Sequence, residues 1–246
     1  MPTNSDRNLN KEYADTEDHR YGYDFDTVLR SYMMREFEGQ FRTGKVLEMG
    51  CFDGHFTRII SQRFDDVTVI EGASDLIEIA RQNVPSSVQF VHQRFEEASF
   101  VDEFESIFLI HTLEHLDSPV EVLRKVASWL TPSGRLFVAV PNANAPSRQI
   151  AVRMGLISEN AAITASEAAQ GHRITYAADT LYRDIRESGL EIHQQGGVFF
   201  KALANFQMDR LMEAEWFDPN YLEGCFELGR LYPDLCASIY AICGRG

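Results

Sequence analysis

The sequence predicts an α/β protein built on a doubly wound, mostly parallel sheet. Three observations carry this. From Val46 onward, short apolar runs alternate with helix-like runs, the beat of strands joined by helical crossovers. The first run, Val46-Leu47, passes through Glu48 and Met49 into Gly50-Cys51-Phe52-Asp53-Gly54, and a helix-like run follows with Phe56, Ile59, Ile60 and Phe64. Strand, glycine turn and helix let a backbone pass close to a nucleotide-like ligand. The second run, Val67-Thr68-Val69-Ile70, ends on Glu71, 21 positions after Gly50. A carboxylate there can hold a ribose diol by two hydrogen bonds. The glycine spacing is G-x-x-x-G, not the dinucleotide fingerprint G-x-G-x-x-G.

Residues 1–20 are polar and acidic, so disorder is expected there. Tyr21, Tyr23 and Phe25 form an aromatic cluster. Asp26 is placed to cap a helix over about 27–40, with Val28, Leu29, Tyr32, Met33 and Phe37 on one face. A helix is expected from Ser74 or Asp75 to 82. The third strand, 88–92, leads to Arg94-Phe95-Glu96, and the fourth, 106–110, leads to His111-Thr112-Leu113-Glu114-His115. Asp117-Ser118-Pro119 opens the next helix, with proline suited to the first turn. The run 131–134 breaks that helix before a fifth strand over 135–140.

After Pro141 the alternation stops. Residues 142–171 read as an insertion with helices near 147–154 and 164–169, the second opened by a capping box, Thr164-x-x-Glu167. A helix over 178–188, a short strand at 191–193, helices near 204–214 and 219–231 and a last strand at 237–243 complete the chain. Every motif named falls at the carboxyl end of a strand, where ligands of such sheets sit.

LEMGCFDG, VIEGA, RFEE, and LIHTLEHL followed by LTPSGRLFVAVPN occur in that order. The stretch 46–144 thereby resembles the class I S-adenosylmethionine-dependent methyltransferases, in particular the type 12 and ubiquinone-biosynthesis-like small-molecule branch. Phe52 stands where the family's E-x-G-x-G-x-G pattern has its middle glycine, and Arg94 stands where the family often has Asp. The resemblance implies a seven-stranded Rossmann-like methyltransferase fold with an antiparallel last strand and a helical insertion after strand five. It implies an N-terminal lid segment and helix over 1–40 and a methyltransferase domain over 41–246, with 142–176 on the acceptor side. The implied cofactor is S-adenosyl-L-methionine, leaving as S-adenosyl-L-homocysteine. Gly50, Cys51, Phe52 and Gly54 would form the cofactor turn. Glu48 would lie near the cofactor's amino group and Glu71 would take the ribose hydroxyls. Gly72 and Ala73 would leave room beside the adenine, and Arg94, Phe95 and Glu96 would border it.

His111, after the fourth strand, is the first candidate for a general base and also for contact with the cofactor, since a neutral imidazole suits proton removal. His115 is the second, with bracing of the turn as the competing role. His172 is the third. Tyr21, Tyr23, Arg173 and Tyr176 are the candidates for the acceptor. His111-x-x-Glu114-His115 also matches the H-x-x-E-H pattern of inverted zinc peptidases. That pattern needs a helix and a further ligand downstream, whereas His111 follows a strand, so no metal is expected.

Composition narrows the function. A net charge of −14 argues against a nucleic acid or an anionic membrane as partner. No apolar run is long enough for a transmembrane helix, and the first residues lack the apolar core of a signal peptide. The four cysteines, Cys51, Cys225, Cys236 and Cys243, show no C-x-x-C spacing. The expectation is a cytoplasmic enzyme, monomer or homodimer, that methylates an oxygen or nitrogen of a small molecule such as a sugar or secondary metabolite. Two alternatives stand beside it. A nucleic-acid or protein methyltransferase is disfavoured by the missing (N or D)-P-P-(Y or F) signature and the missing Pro-Cys nucleophile. A non-catalytic cofactor-binding protein is the other.

Overall fold

The computed structural model describes residues 8–14, 23–101 and 103–246. Seven strands form one sheet in the spatial order β3-β2-β1-β4-β5-β7-β6. The strands are β1 (Val46–Met49), β2 (Val67–Glu71), β3 (Gln89–His92), β4 (Phe104–Ile110), β5 (Leu130–Pro141), β6 (Leu190–Phe200) and β7 (Cys236–Arg245). The first five pair in parallel, and β7 runs antiparallel to both β5 and β6. The expected doubly wound sheet with its antiparallel last strand is what the chain forms.

Side chains of a strand alternate between faces, and here the two faces are separate cores. Phe108 and Ile110 of β4 join Phe137 of β5 on the face covered by α2 (Asp24–Phe37), α3 (His55–Ser61), α9 (Asn205–Met212) and α10 (Asn220–Leu231). Ile107 and Leu109 point the other way, to Val122 and Val126 of α5 (Pro119–Trp129) and Leu181 and Ile185 of α8 (Ala178–Glu187). The first face is aromatic. Phe108 and Phe137 are register partners and stack at 4.8 Å between centroids. Phe37 and Phe41 each reach Phe137 at 5.5 Å.

Several boundaries differ from the sequence reading. Of the stretch expected to be disordered, 8–14 lies within the described residues and contains a short helix, α1 (Leu9–Ala14). It sits against the start of α4 (Ser74–Asn83), where the Asn10 side-chain amide donates to the Ser74 hydroxyl at 2.8 Å. The rest of 1–20, and Tyr21, lie outside the described residues. Helix α2 begins at Asp24, so Asp26 is inside its first turn and not the cap: its carboxylate accepts from the Tyr23 amide at 3.0 Å. The helix start is fixed to α9 by Asp209, which accepts from the Phe25 amide at 2.9 Å. β6 runs eleven residues, far beyond 191–193. Its middle is polar and half exposed because β6 is the sheet's edge, which hid it from an apolar count. The insertion holds α6 (Pro146–Arg153) and α7 (Ala165–Ala169). The capping box of α7 is present, with the Glu167 amide donating to Thr164 Oγ1 at 3.2 Å and the Thr164 amide to Glu167 Oε2 at 2.8 Å. Among the described residues, no helix is long and apolar enough to cross a membrane.

Phe137→Ala should lower the stability of the chain by about 3–5 kcal/mol, the cost of emptying a fully buried aromatic site. Urea unfolding measures this. A loss below about 1 kcal/mol would show that the aromatic face does not hold the sheet.

Candidate functional site

A cleft opens at the carboxyl ends of β1, β2 and β4, with about 1090 Å³ of empty space including its mouth. Apolar side chains and a few convergent polar groups line it together, as in ligand sites generally. Its floor is the turn after β1. Gly50 there has φ +82°, and a Cβ on it would stand 2.8 Å from Thr112 Oγ1. Thr112 in turn donates to the Met49 carbonyl at 3.0 Å, so the ends of β1 and β4 are held in contact. Phe52 has φ +49°, the left-handed region that costs an ordinary residue. The family's preference for glycine at this place has that physical reason. Here the turn tolerates Phe52, whose side chain joins the cleft wall.

Two buried carboxyls organise the floor. Glu71 ends β2 and accepts from the Cys51 amide (3.2 Å) and the Ala73 amide (2.9 Å). Burial raises its pKa, and those amides pull against the rise. Glu48 lies in the middle of β1, and the strand's alternation puts it on the face covered by α2 and α3. It is 2% exposed, and its Oε2 has no hydrogen-bond partner. Burial pushes its carboxyl up to about 8, opposed by the Thr57 hydroxyl and by the Arg30 guanidinium. Thr57 is near enough to favour the ionised form but makes no well-formed hydrogen bond. Cys51 is buried, and its thiol is pushed far above its ordinary range by desolvation, so it is inert.

His111 follows β4 at φ +50°. Its amide donates to the Ala139 carbonyl at 2.8 Å, and its Nε2 lies 2.8 Å from the Ser238 hydroxyl of β7. Burial, then the nearby Arg30, His172 and His115, hold the imidazole down at about 3. It is neutral at physiological pH and weakly basic. His115 lines the cleft next to it, and its ring meets that of His172 edge to face at 4.6 Å.

Residues 21–195 match a family described as "Methyltransferase domain". The chain belongs to the class I S-adenosylmethionine-dependent methyltransferases. It is 25% identical over 166 residues to the ubiquinone biosynthesis O-methyltransferase of Aeromonas salmonicida, covering 65% of this chain and 68% of that one. It is 31% identical over 113 residues to the protein of the same name in Xanthomonas campestris pv. campestris, where the match spans 44% of this chain and about half, 47%, of the relative. Among solved structures it resembles the N-methyltransferase NodS of Bradyrhizobium japonicum WM9 in complex with S-adenosyl-L-homocysteine. That likeness has a TM-score of 0.58 at 14% identity and covers 93% of this chain and 89% of that one.

Of the residues singled out in this methyltransferase sequence, the cleft gathers Glu48, Gly50, Cys51, Phe52, Glu71, Gly72, Ala73, Arg94, Phe95, Glu96, His111 and His115. Gly54 is not part of its wall. A Cβ there would meet the Ala80 backbone at 2.9 Å, so its glycine serves the packing of α3 on α4. Three acceptor candidates also fall away from the wall. Tyr176 is 1% exposed and donates to Asp184 at 3.1 Å inside the core, so it cannot meet an acceptor. Arg173 pairs with Asp117 at 3.5 Å, and Tyr23 sits at the start of α2. Arg30 was missed. It projects from α2 into the cleft and acts electrostatically on Glu48, His111 and Glu114. Its sequence signal is weak, since it is one of two arginines in α2, beside the helix's apolar stripe. Thr112, Leu76 and Leu9 were missed too.

Glu48 makes the stability depend on pH. Its folded pKa lies near 8, above the ordinary 4.5. Between those values the folded chain holds a proton that the unfolded chain has released, so stability falls as pH rises through this window. Glu48→Gln should remove that fall, so the variant gains on the parent between pH 5 and pH 8. Denaturant unfolding at both pH values checks it, and parallel pH profiles would contradict the assigned protonation.

Proposed function

We propose that this methyltransferase transfers the methyl group of S-adenosylmethionine to an oxygen or nitrogen of a small molecule, with oxygen favoured. The observation that carries the reading is the buried, unpartnered Glu48 oxygen facing the same cleft as the Arg30 guanidinium. An acid and a base set together in one wall suit the ammonium and carboxylate of an amino-acid-like ligand. The other wall suits a flat ring and a ribose: Leu76 and Phe95 are apolar, and Glu71 keeps lone pairs free beyond its two amides. The residues present therefore fit the cofactor.

Bound there, the cofactor would supply an activated methyl group on sulfur, for transfer to an acceptor that gives up a proton. The chain's own tasks are placement and exclusion of water. Glu71 holds the ribose, Gly50 lets the backbone approach, and Glu48 with Arg30 anchors the amino-acid end. Gly72 and Ala73 leave room for the adenine, bordered by Arg94, Phe95 and Glu96. His111 faces the reacting end and accepts the acceptor's hydrogen bond. At a pKa near 3 it orients the acceptor and takes the proton only as the new bond forms. The described part of the N-terminal segment, which brings Leu9 and Arg30 to the cleft wall, serves as its lid, and 142–176 shapes the acceptor side. The names of the relatives support an oxygen acceptor, and that of NodS supports nitrogen.

Transfer of an isotope-labelled methyl group from the cofactor to a metabolite extract tests the activity. Cofactor binding without any labelled product would favour the non-catalytic alternative. Glu71→Ala should weaken cofactor binding about tenfold or more, the loss of hydrogen bonds to a charged acceptor. Unchanged affinity by calorimetry would remove Glu71 from the site. His111→Ala should lower turnover by about 10²–10⁴-fold with little change in cofactor affinity. His111→Gln, which keeps a hydrogen-bonding group, should recover part of it. Near-normal turnover in His111→Ala would assign the role elsewhere.

A further inference from the structure

We propose that Glu114, His115 and His172 form a binding site for one divalent transition-metal ion, and that this ion takes the oxygen of the methyl acceptor as a further ligand. The proposal rests on reading the cleft as a methyl-transfer site and names the acceptor chemistry more closely.

The sequence argued against a metal because His111 and His115 do not share a helix. The structure agrees on that pair: His111 turns to Ser238, and 113–115 is a single 3-10 turn. The partner of His115 comes from the insertion instead. Ligand atoms of Glu114, His115 and His172 all lie within 4.8 Å of one another. A second observation points the same way. Glu114 is 2% exposed, and its Oε2 has no hydrogen-bond partner. A buried carboxylate oxygen without a donor is costly. Edge-to-face packing of the two imidazoles explains their contact but leaves that oxygen unsatisfied. A cation among the three satisfies it.

The arrangement is also braced. The amides of Arg173 and Ile174 both donate to the Glu114 carbonyl, at 2.8 and 3.2 Å, so the insertion's return path is tied to the turn after β4. The His172 amide donates to the Glu167 carbonyl at 2.9 Å. Glu167 is held by the α7 cap and by Arg148, whose guanidinium also donates to the Asn160 and Ala162 carbonyls. These bonds fix the backbones that carry Glu114 and His172, so the two side chains are brought together by the fold and not by each other.

Two imidazole nitrogens and one carboxylate oxygen suit Mn²⁺, Fe²⁺, Co²⁺, Ni²⁺ or Zn²⁺ better than Mg²⁺ or Ca²⁺, which favour all-oxygen sets. Three protein ligands leave at least one position open. Of the three ligands His115 alone lines the cleft, beside His111, so the ion meets the reacting end on its His115 side. An acceptor hydroxyl bound to the ion loses its proton more readily, to His111 as the new bond forms, and its oxygen keeps a further lone pair to bond to the methyl carbon. The carbon–sulfur pair stays on sulfur, and the ion gains and loses no electrons. A coordinated amine would have no lone pair left. The site therefore selects an oxygen acceptor.

The test is Co²⁺ titration of chelator-stripped protein, followed by visible ligand-field absorption and calorimetry without any acceptor, with Zn²⁺ as competitor. The expected result is one Co²⁺ per chain, displaced by Zn²⁺, with affinity at least about tenfold lower in His172→Ala and in Glu114→Gln. Cofactor affinity of each variant reports whether it has folded, and Glu114→Gln keeps the local shape if His172→Ala does not fold. Absence of binding, or binding equal in the parent and His115→Ala/His172→Ala, would overturn the proposal. Because no turnover is read, failure of the metal site and failure of the methyl-transfer reading are separate results.

Discussion

The carboxylate of Glu71 links two strand ends through their backbones, and the cleft depends on that link. One oxygen accepts from the turn after β1 and the other from the turn after β2. Parallel pairing places those ends side by side but does not shape the loops beyond them. The two amides recover part of the cost of burying an acid, and the buried acid fixes the path of both loops. The left-handed residues Gly50, Phe52 and Gly54 all lie in the loop so held. Thr112 performs the matching task between β1 and β4. The floor is thus built from strand-end backbone, and its rigidity comes from the sheet.

The sheet and the glycine turn were legible because they follow short-range rules. Apolar runs of strand length, a proline at the first turn of α5 and the cap of α7 are each written within a few residues. What escaped depends on where distant segments meet. Arg30 matters because Asp209, far along the chain, anchors the start of α2 and so aims that helix at the cleft. Tyr176 looked like an acceptor contact until its partner Asp184 drew it into the core. The meeting of His172 with Glu114 is set by two backbone hydrogen bonds, which no side-chain pattern encodes. The edge strand β6 was truncated because its exposed middle carries His193, Gln194 and Gln195 in place of apolar residues.

Charge in the cleft is distributed unlike charge on the chain as a whole. The chain carries a net charge of −14. Yet the two most deeply buried acids of the region, Glu48 and Glu114, are both held near 8 by burial and are largely uncharged at neutral pH. Arg30 acts on both, and on His111 as well. A cationic ligand entering this region would meet acids able to release protons in response, so its binding and their ionisation are linked.

β7 follows every other strand in sequence yet lies inside the sheet, between β5 and β6. β5 and β6 never touch as neighbours; β6 pairs with β7 along most of its length and β5 pairs with it over its second half, Leu136 to Pro141. β6 therefore has no strand partner until β7 arrives, however long before it has been made. The order of synthesis and the order of assembly differ at this edge, and contacts of such long range are slow to form. Because Ser238 of β7 also meets His111, the reacting end of the cleft is finished in the same step that closes the sheet. A nascent or clipped chain that lacks β7 would therefore lose together the pairing that holds β6 and the contact that holds His111.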